Sequence, residues 1–204
     1  MKKMILMALA ILMPIAAMAQ QKVVIISSSP RQGGNTDLLC DEFRRGAEEA
    51  GATVEKISLS DYRIDFINAE DVELGMQRKA NTDSRDDAPM IIGKMDDADV
   101  IVLASPVYFM NITGQLKTLM DRVYSCGYRL SGKQFYFITA CTDGSDITAQ
   151  CAIDAFQGFT VCLPKAEVKG MVKATGIREK GDVKNSKFMR EAYELGKSIS
   201  KKIR

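Results

Sequence analysis

The chain has 204 residues, with 28 lysines and arginines against 26 aspartates and glutamates, and it has no histidine. This near balance of charge gives no electrostatic support for binding to nucleic acid or to a membrane surface. The absence of histidine excludes Ser-His-Asp hydrolysis and histidine-based zinc sites. The length predicts one domain with a full core.

Residues 1–19 are typical of a cleavable secretory signal peptide. Lys2 and Lys3 precede an apolar run from Ile5 to Ile15, and Ala17-Met18-Ala19 has the small residues of a cleavage site. The alternative is an uncleaved membrane anchor, for which the run is shorter than the ~20 residues that span a bilayer. We therefore expect cleavage after Ala19, a mature domain over 20–204, no stable membrane insertion, and a periplasmic or secreted location.

The start of the mature chain predicts a strand, a loop and a helix. Residues 22–27 form a short apolar run, as in a buried parallel strand, and the loop SSSPRQGGNT follows at 27–36. Apolar residues then recur at helical spacing until Gly51, and a second strand is predicted over 53–57. This order is that of a βαβ unit.

The middle of the chain predicts a long connection and a second βα unit. Residues 59–87 are polar and weakly periodic, with a short helix expected around 72–79. A brief helix over 89–95 leads to the strand DVIVLA at 99–104. The loop SPVYFMNIT separates this strand from a helix with one apolar stripe, formed by Leu116, Leu119, Met120 and Val123.

The last third predicts two more strands. A strand over 134–140 ends in CTDGSD, and a helix is expected over 147–156. We expect an extended segment over 159–173, with a bulge or interruption at Pro164 and Gly170, and a final helix over 185–203. Five strands that alternate with helices predict a three-layer α/β fold with a parallel sheet and helices on both faces.

Three polar or aromatic loops follow the first, third and fourth predicted strands, where ligands bind in open parallel sheets. The first offers the hydroxyl and amide groups of Ser27, Ser29, Asn35 and Thr36, the cation of Arg31, and glycines that let the backbone approach a phosphate. Taken alone, this loop is equally well explained as a capped turn. The aromatic loop after the third strand favours a flat aromatic ligand that carries a phosphate, and FMN is such a ligand.

Three segments resemble the flavodoxin-fold NAD(P)H-dependent FMN reductases, including the branch of iron-sulfur flavoproteins: SSSPRQGGNTDLL, SPVYFMNITGQLKTLMDR and KATGIREKGDVKNSKFMREAYELGKSI. The resemblance covers nearly all of the mature chain. It implies a doubly wound five-stranded sheet in the order 2-1-3-4-5 and FMN bound without a covalent bond. It also implies NAD(P)H as a candidate electron donor, a small-molecule electron acceptor, and a homodimer with the flavin near the subunit interface.

The resemblance also implies the cofactor site, residue by residue. Ser29, Arg31, Asn35 and Thr36, with Ser27 and Gly34 in the same loop, are expected at the FMN phosphate. The flavin ring is expected against Pro106, Val107, Tyr108, Phe109, Met110 and Asn111, with Thr139, Cys141 and Gly144 at its other edge. No catalytic side chain is expected, because the flavin itself performs hydride chemistry.

Two departures from the family pattern bear on function. The iron-sulfur relatives carry clustered cysteines after the second strand, where this chain reads RIDFINAEDVELGM, so we predict no metal cluster. The export signal would place the protein away from cytoplasmic NAD(P)H. We therefore expect an exported FMN-dependent oxidoreductase that passes electrons to a quinone, a flavin or another small acceptor, with a non-catalytic electron carrier or binding protein as the alternative.

The five cysteines form no CxxC pair. Cys141 is expected to pack as a small apolar residue, with a redox-active thiol beside the flavin as the alternative. Cys40, Cys126, Cys151 and Cys162 are expected in the core. A disulfide among the five is compatible with export, but the spacing selects no pair.

Overall fold

A computed structural model describes residues 20–80 and 85–199. The signal peptide predicted at 1–19 lies outside these residues, as does the end of the predicted last helix. The five strands are β1 (Lys22–Ser27), β2 (Thr53–Ser58), β3 (Val100–Pro106), β4 (Gln134–Ala140) and β5 (Glu167–Ala174). The six α-helices of the described residues are α1 (Asn35–Glu49), α2 (Ala69–Met76), α3 (Ala88–Asp97), α4 (Gly114–Arg122), α5 (Asp146–Val161) and α6 (Lys187–Lys197).

The strands form one parallel sheet in the order β2-β1-β3-β4-β5. This confirms the predicted flavodoxin-like fold and its strand order. The order reverses between β1 and β3, so the loops after these strands diverge and leave a crevice at the carboxyl edge of the sheet. The register places Ser27 of β1 beside Ala104 of β3, and Ser105 beside Thr139 of β4.

Alternate residues of the central strands build a core on each face of the sheet. Ile26 of β1 and Leu103 of β3 belong to the core beneath α3, α4 and α5, whereas Ile25 and Val102 belong to the core beneath α1 and α6. All four side chains are fully buried. Strands buried on both faces explain why β1 and β3 read as continuous apolar runs.

The prediction for residues 159–173 was wrong in its first part. Helix α5 continues to Val161, and β5 begins only at Glu167. The buried helical positions continue to Thr160, which lies one turn after Phe156, so the helix keeps its packing to that point. The predicted irregularity in the fifth strand is confirmed, since the β4–β5 register shifts between Phe135 and Tyr136.

The prediction of a core position for Cys162 was also wrong. Cys162 caps the end of α5 and is exposed, and Cys151 is half-buried, whereas Cys40, Cys126 and Cys141 are buried. The five thiols are unpaired in the described structure. Cys162 is exposed because the chain leaves the helix at that residue rather than entering a strand.

Candidate functional site

A cleft of about 100 Å³ lies at the carboxyl edge of the sheet. Four strand-end loops contribute to it, after β1, β3, β4 and β5. The residues that line it are Ser29, Arg31, Gly34, Asn35, Thr36, Pro106, Val107, Tyr108, Ala140, Cys141, Thr142, Ile177 and Arg178. The cleft therefore brings together segments that are far apart in the sequence.

The loop after β1 is a compact turn held by its own backbone. The Ser29 hydroxyl accepts a hydrogen bond from the Arg31 amide at 3.3 Å, and the Gly34 amide donates to the Arg31 carbonyl at 2.8 Å. Gly33 has a φ of +63°, a conformation that glycine adopts without strain. A Cβ at Gly34 would lie 2.8 Å from the Arg31 carbonyl oxygen and 3.1 Å from the Ser29 hydroxyl, so this turn has no space for a side chain.

Helix α1 begins at the cleft with its first turn uncapped by a side chain. Gly34 occupies the N-cap position and makes no side-chain cap, and Asn35 and Thr36 follow as the first helical residues. The first amides of an α-helix have no acceptor within the helix, and the helix dipole adds partial positive charge there. These amides and Arg31 make this end of the cleft suitable for a phosphate.

The loop after β3 supplies an apolar wall and ends in a strained hairpin. Pro106, Val107 and Tyr108 line the cleft, and Tyr108 pairs with Asn111 through two backbone hydrogen bonds of 2.9 and 3.0 Å. Between them Phe109 and Met110 have φ angles of +49° and +61°. Such angles cost a bulky residue roughly 1–2 kcal/mol, and strain of this kind concentrates at ligand sites. The Phe109 side chain is fully exposed at the tip.

The loop after β4 places a thiol at the floor of the cleft. The Cys141 amide donates to the Ala174 carbonyl at 2.8 Å, and the Cys141 carbonyl accepts from the Ile177 amide at 2.9 Å, which joins the loops after β4 and β5. Burial raises the pKa of the Cys141 thiol, and the nearby Asp143 carboxylate raises it further. The thiol is therefore protonated at neutral pH, which favours packing over nucleophilic chemistry.

Nine of the fifteen predicted site residues line the cleft: Ser29, Arg31, Gly34, Asn35, Thr36, Pro106, Val107, Tyr108 and Cys141. The other six do not. Ser27 and Thr139 are completely buried in the strands. Phe109, Met110 and Asn111 lie on the exposed hairpin, and Gly144 lies on the exposed loop before α5. Contact of all fifteen with a flavin stays a prediction.

The sequence interpretation missed four residues that line the cleft, namely Ala140, Thr142, Ile177 and Arg178. Ala140 and Thr142 flank the predicted Cys141. Ile177 and Arg178 belong to the loop after β5, which has the sequence TGIREKG. The position of this loop could have predicted Ile177 and Arg178 as site residues. The carboxyl ends of all parallel strands lie at the same edge of the sheet, and the loop after β5 contains glycines and basic residues.

Within residues 20–80 and 85–199, no cluster of three or more histidine, cysteine or acidic side chains is placed to hold a metal ion. None of the helices in this part of the chain is both long and apolar enough to cross a membrane.

A sequence profile of the NADPH-dependent FMN reductases matches residues 21–171. The chain belongs to this family. An iron-sulfur flavoprotein of Methanocaldococcus jannaschii is 31% identical over 195 residues, which cover 90% of this chain and 97% of that protein. An iron-sulfur flavoprotein of Archaeoglobus fulgidus is 35% identical over 114 residues, 55% of this chain, and the match spans 50% of that protein.

The fold has close structural neighbours. The NAD(P)H:quinone oxidoreductase from Methanothermobacter marburgensis superposes with a TM-score of 0.70 at 18% identity, over 89% of this chain and 98% of that protein. This neighbour confirms the fold. The profile match and the Methanocaldococcus relative confirm the FMN reductase family assigned from the sequence motifs, and oxidoreductase chemistry with FMN and NAD(P)H is that of this family.

The chemistry of the residues that line the cleft suits FMN. Two arginines and no carboxylate line it, which suits a phosphate monoester, and Pro106, Val107 and Tyr108 supply apolar surface for a flat ring. Gly34 lets the loop after β1 close tightly against the start of α1, because a Cβ there would meet the Arg31 carbonyl oxygen at 2.8 Å.

Proposed function

We propose that this protein is an exported FMN-dependent oxidoreductase that passes electrons to a small acceptor such as a quinone or a flavin. The observation that carries the proposal is the cleft, in which the uncapped start of α1, Arg31 and the wall from Pro106 to Tyr108 meet at the topological switch point. Family membership supports the reaction class. The quinone activity in the name of the Methanothermobacter neighbour supports a quinone as the acceptor to test first.

In the proposed function, the cofactor performs the chemistry and the chain binds and orients it. FMN supplies hydride and electron transfer when bound. The chain binds the phosphate at Ser29, Arg31 and the first amides of α1, and it orients the ring against the apolar wall. The Cys141 thiol stays protonated at neutral pH, and we expect no side chain to act as a general acid or base, because the flavin performs the hydride chemistry.

Export is supported by the leader at 1–19, which has the charge and apolar run of a secretory signal. Cell fractionation and mass spectrometry of the N-terminus test this part of the proposal. We expect a periplasmic or secreted protein that begins at Gln20. A cytoplasmic protein that begins at Met1 would refute export without affecting the FMN site.

The leader also favours a second candidate function, a non-catalytic electron carrier. An exported protein meets little pyridine nucleotide, so its flavin could exchange electrons with a protein partner instead. Turnover separates the two candidates: steady oxidation of NAD(P)H with a quinone supports the reductase. Reduction by dithionite without any turnover with NADH or NADPH supports the carrier.

The first experiment is a visible spectrum and an FMN titration of the protein, expressed with its leader, purified, and checked for folding by circular dichroism. We expect a yellow protein with a flavin spectrum, or tight saturable binding of added FMN. A folded protein that stays colourless with excess FMN would refute the proposed function.

The prediction of no iron-sulfur cluster is part of this proposal. It rests on the absence of cysteine between Asp41 and Ser125, which includes the whole connection after β2. Iron and acid-labile sulfide measured on protein purified without oxygen should be below stoichiometric amounts. One cluster per chain would contradict the prediction.

A further inference from the structure

The loop after β5 is fastened to the start of α1 by the Asn35 side chain. Its Nδ2 donates to the Glu179 carbonyl at 2.8 Å, and its Oδ1 accepts from the amides of Gly181 at 2.9 Å and Val183 at 3.4 Å. Both ends of this amide group therefore bind the backbone of the 175–183 loop. These hydrogen bonds give Asn35 a structural role in joining two loops.

The same loop is fixed on both sides of Arg178. Ile177 before it and Val183 after it are buried, and the Asp182 carboxylate accepts from the amides of Arg178 at 3.2 Å and Glu179 at 2.7 Å. Gly181 has a φ of +95°, which lets the chain turn back towards α1. The backbone at Arg178 is therefore held in place where this residue lines the cleft.

Three basic residues from two loops line the cleft or lie near it. Arg31 enters from the loop after β1, and Arg178 enters from the loop after β5. The Lys180 ammonium lies 3.8 Å from the position that a Cβ at Gly33 would take. Among the described residues, none of these three cations forms an ion pair with a carboxylate. This arrangement is suited to a dianion.

From this geometry we infer that Arg178 and Arg31 clamp the FMN phosphate from two sides, and that Asn35 is a positioning residue for Arg178. The inference rests on the proposed function, because it requires that the cleft binds FMN. Arginine binds a phosphate through two parallel hydrogen bonds, which makes its contribution depend on how the loop is held. Because riboflavin lacks the phosphate, we expect the protein to bind FMN more tightly than riboflavin.

The first test compares FMN and riboflavin binding by wild type and Arg178→Gln. We expect the Kd for FMN to rise about tenfold or more, because a charge-assisted hydrogen bond is lost, and the Kd for riboflavin to stay unchanged. Lys184→Gln is the matched control, since Lys184 is an exposed cation directly after the same loop and does not line the cleft. It should leave both affinities unchanged.

Three results would overturn the clamp. An unchanged Kd for FMN in Arg178→Gln excludes a phosphate contact, and an equal loss of riboflavin affinity shows general damage to the cleft. If Arg178→Gln changes only the KM for NADPH, the Arg178 guanidinium binds the electron donor and not FMN. Wild-type protein that binds neither flavin refutes the proposed function itself, so that failure is distinguishable from failure of the clamp.

The positioning role of Asn35 is tested by a double-mutant cycle. Asn35→Ala frees the loop, so we expect it to weaken FMN binding about tenfold in wild type and to have little effect in Arg178→Gln. Thermal unfolding of each variant without flavin checks that the fold is kept. If Asn35→Ala weakens FMN binding equally in both backgrounds, Asn35 contacts the phosphate itself and the positioning role is wrong.

Discussion

Gly34 shows how a single missing side chain shapes the cleft. Its φ of −71° is one that any residue adopts, so backbone conformation does not require glycine here. The requirement is steric, because an added Cβ would lie 2.8 Å from the Arg31 carbonyl oxygen and 3.0 Å from the Arg31 Cβ. The neighbouring atoms are in the same tight turn, so they move only if the loop after β1 moves.

We expect Gly34→Ala to weaken FMN binding about tenfold, because relieving an overpacked contact costs roughly 1–3 kcal/mol and shifts the loop. Isothermal titration with FMN measures the effect. Gln32→Ala is the control, since Gln32 is an exposed neighbour in the same loop that does not line the cleft. Equal FMN affinities of Gly34→Ala and wild type would contradict the steric argument.

At the scale of elements, a buried arginine joins α4 to the long connection after β2. Arg122, at the end of α4, is 3% exposed and pairs with Asp86, and its guanidinium also donates to the Asp65 carbonyl at 3.1 Å. Asp71, at the start of α2, lies 3.4 Å from the Arg122 Nε. A buried cation of this kind is stable only with its partners in place, so the cluster holds the connection against the core.

The pKa of Asp86 makes this cluster sensitive to acid. Burial opposes ionisation of the carboxyl group, but hydrogen bonds from the Asp65 amide and the Arg122 guanidinium outweigh burial and lower the pKa below its ordinary value. A group with a lowered pKa in the folded state stabilises that state at neutral pH. This stabilisation is lost as the pH falls below about 4, through the pKa of the folded state.

We expect Asp86→Asn to lower the free energy of unfolding at pH 7 by about 3 kcal/mol, because it leaves Arg122 with one buried carboxylate fewer. The Tm should fall on the order of 10 °C, and its difference from wild type should narrow below about pH 4. Glu48→Gln, which breaks an exposed pair with Arg44, should change the stability by less than about 1 kcal/mol. A Tm difference that does not depend on pH would contradict this assignment.

Helices α1 and α6 pack so closely that a glycine of each helix lies against the backbone of the other. A Cβ at Gly196 would collide with the Phe43 carbonyl, and a Cβ at Gly46 would collide with the Tyr193 carbonyl. The colliding atoms are backbone, which yields only if the helices separate. The two glycines thus set the distance between α6 and α1, and α6 in turn follows the 175–183 loop.

We expect Gly196→Ala to lower the free energy of unfolding by at least about 2 kcal/mol, the cost of overpacking a rigid contact. Denaturant unfolding measures the change. Gly93→Ala in α3 is the control, because no atom lies within 4 Å of the added Cβ and alanine is the better helix former. Gly196→Ala as stable as wild type would show that the helices separate at little cost.

At the scale of the whole molecule, a broad apolar groove runs between α4 and α5. Two cavities of about 640 and 600 Å³ meet there and share Met120, Asp121 and Phe159. Tyr124 and Tyr128 at its rim are about half exposed. Exposed aromatic groups beside an apolar groove are typical of an interface between proteins, and we propose that this face forms the homodimer expected from the family resemblance.

We expect the wild-type protein to sediment as a dimer and Tyr128→Glu to sediment as a monomer, because a buried unpaired charge disfavours association. Sedimentation equilibrium measures both. Val168→Glu introduces the same charge at another exposed apolar position, on β5, and should stay dimeric. If the wild-type protein is a monomer, or if Tyr128→Glu stays dimeric, the groove is not the interface of a homodimer.

Much of the fold was predictable because local patterns report burial. The apolar runs of β1 and β3 and the stripe of α4 predicted their elements, since a strand buried on both faces consists mostly of apolar residues. The end of α5 was not predictable in this way. Phe159 and Thr160 suit either a strand or a helix, and packing against the sheet decided between them.

The sequence by itself determined the parallel α/β architecture, the family and the two loops at the centre of the cleft, because each depends on residues that are neighbours in the chain. The tertiary structure decided the rest of the site. Asn35 binds backbone groups almost 150 residues later, and Arg178 reaches the cleft only because β5 ends at the same edge as β1. Contacts between distant segments depend on the order of strands and the packing of helices, which no local pattern encodes.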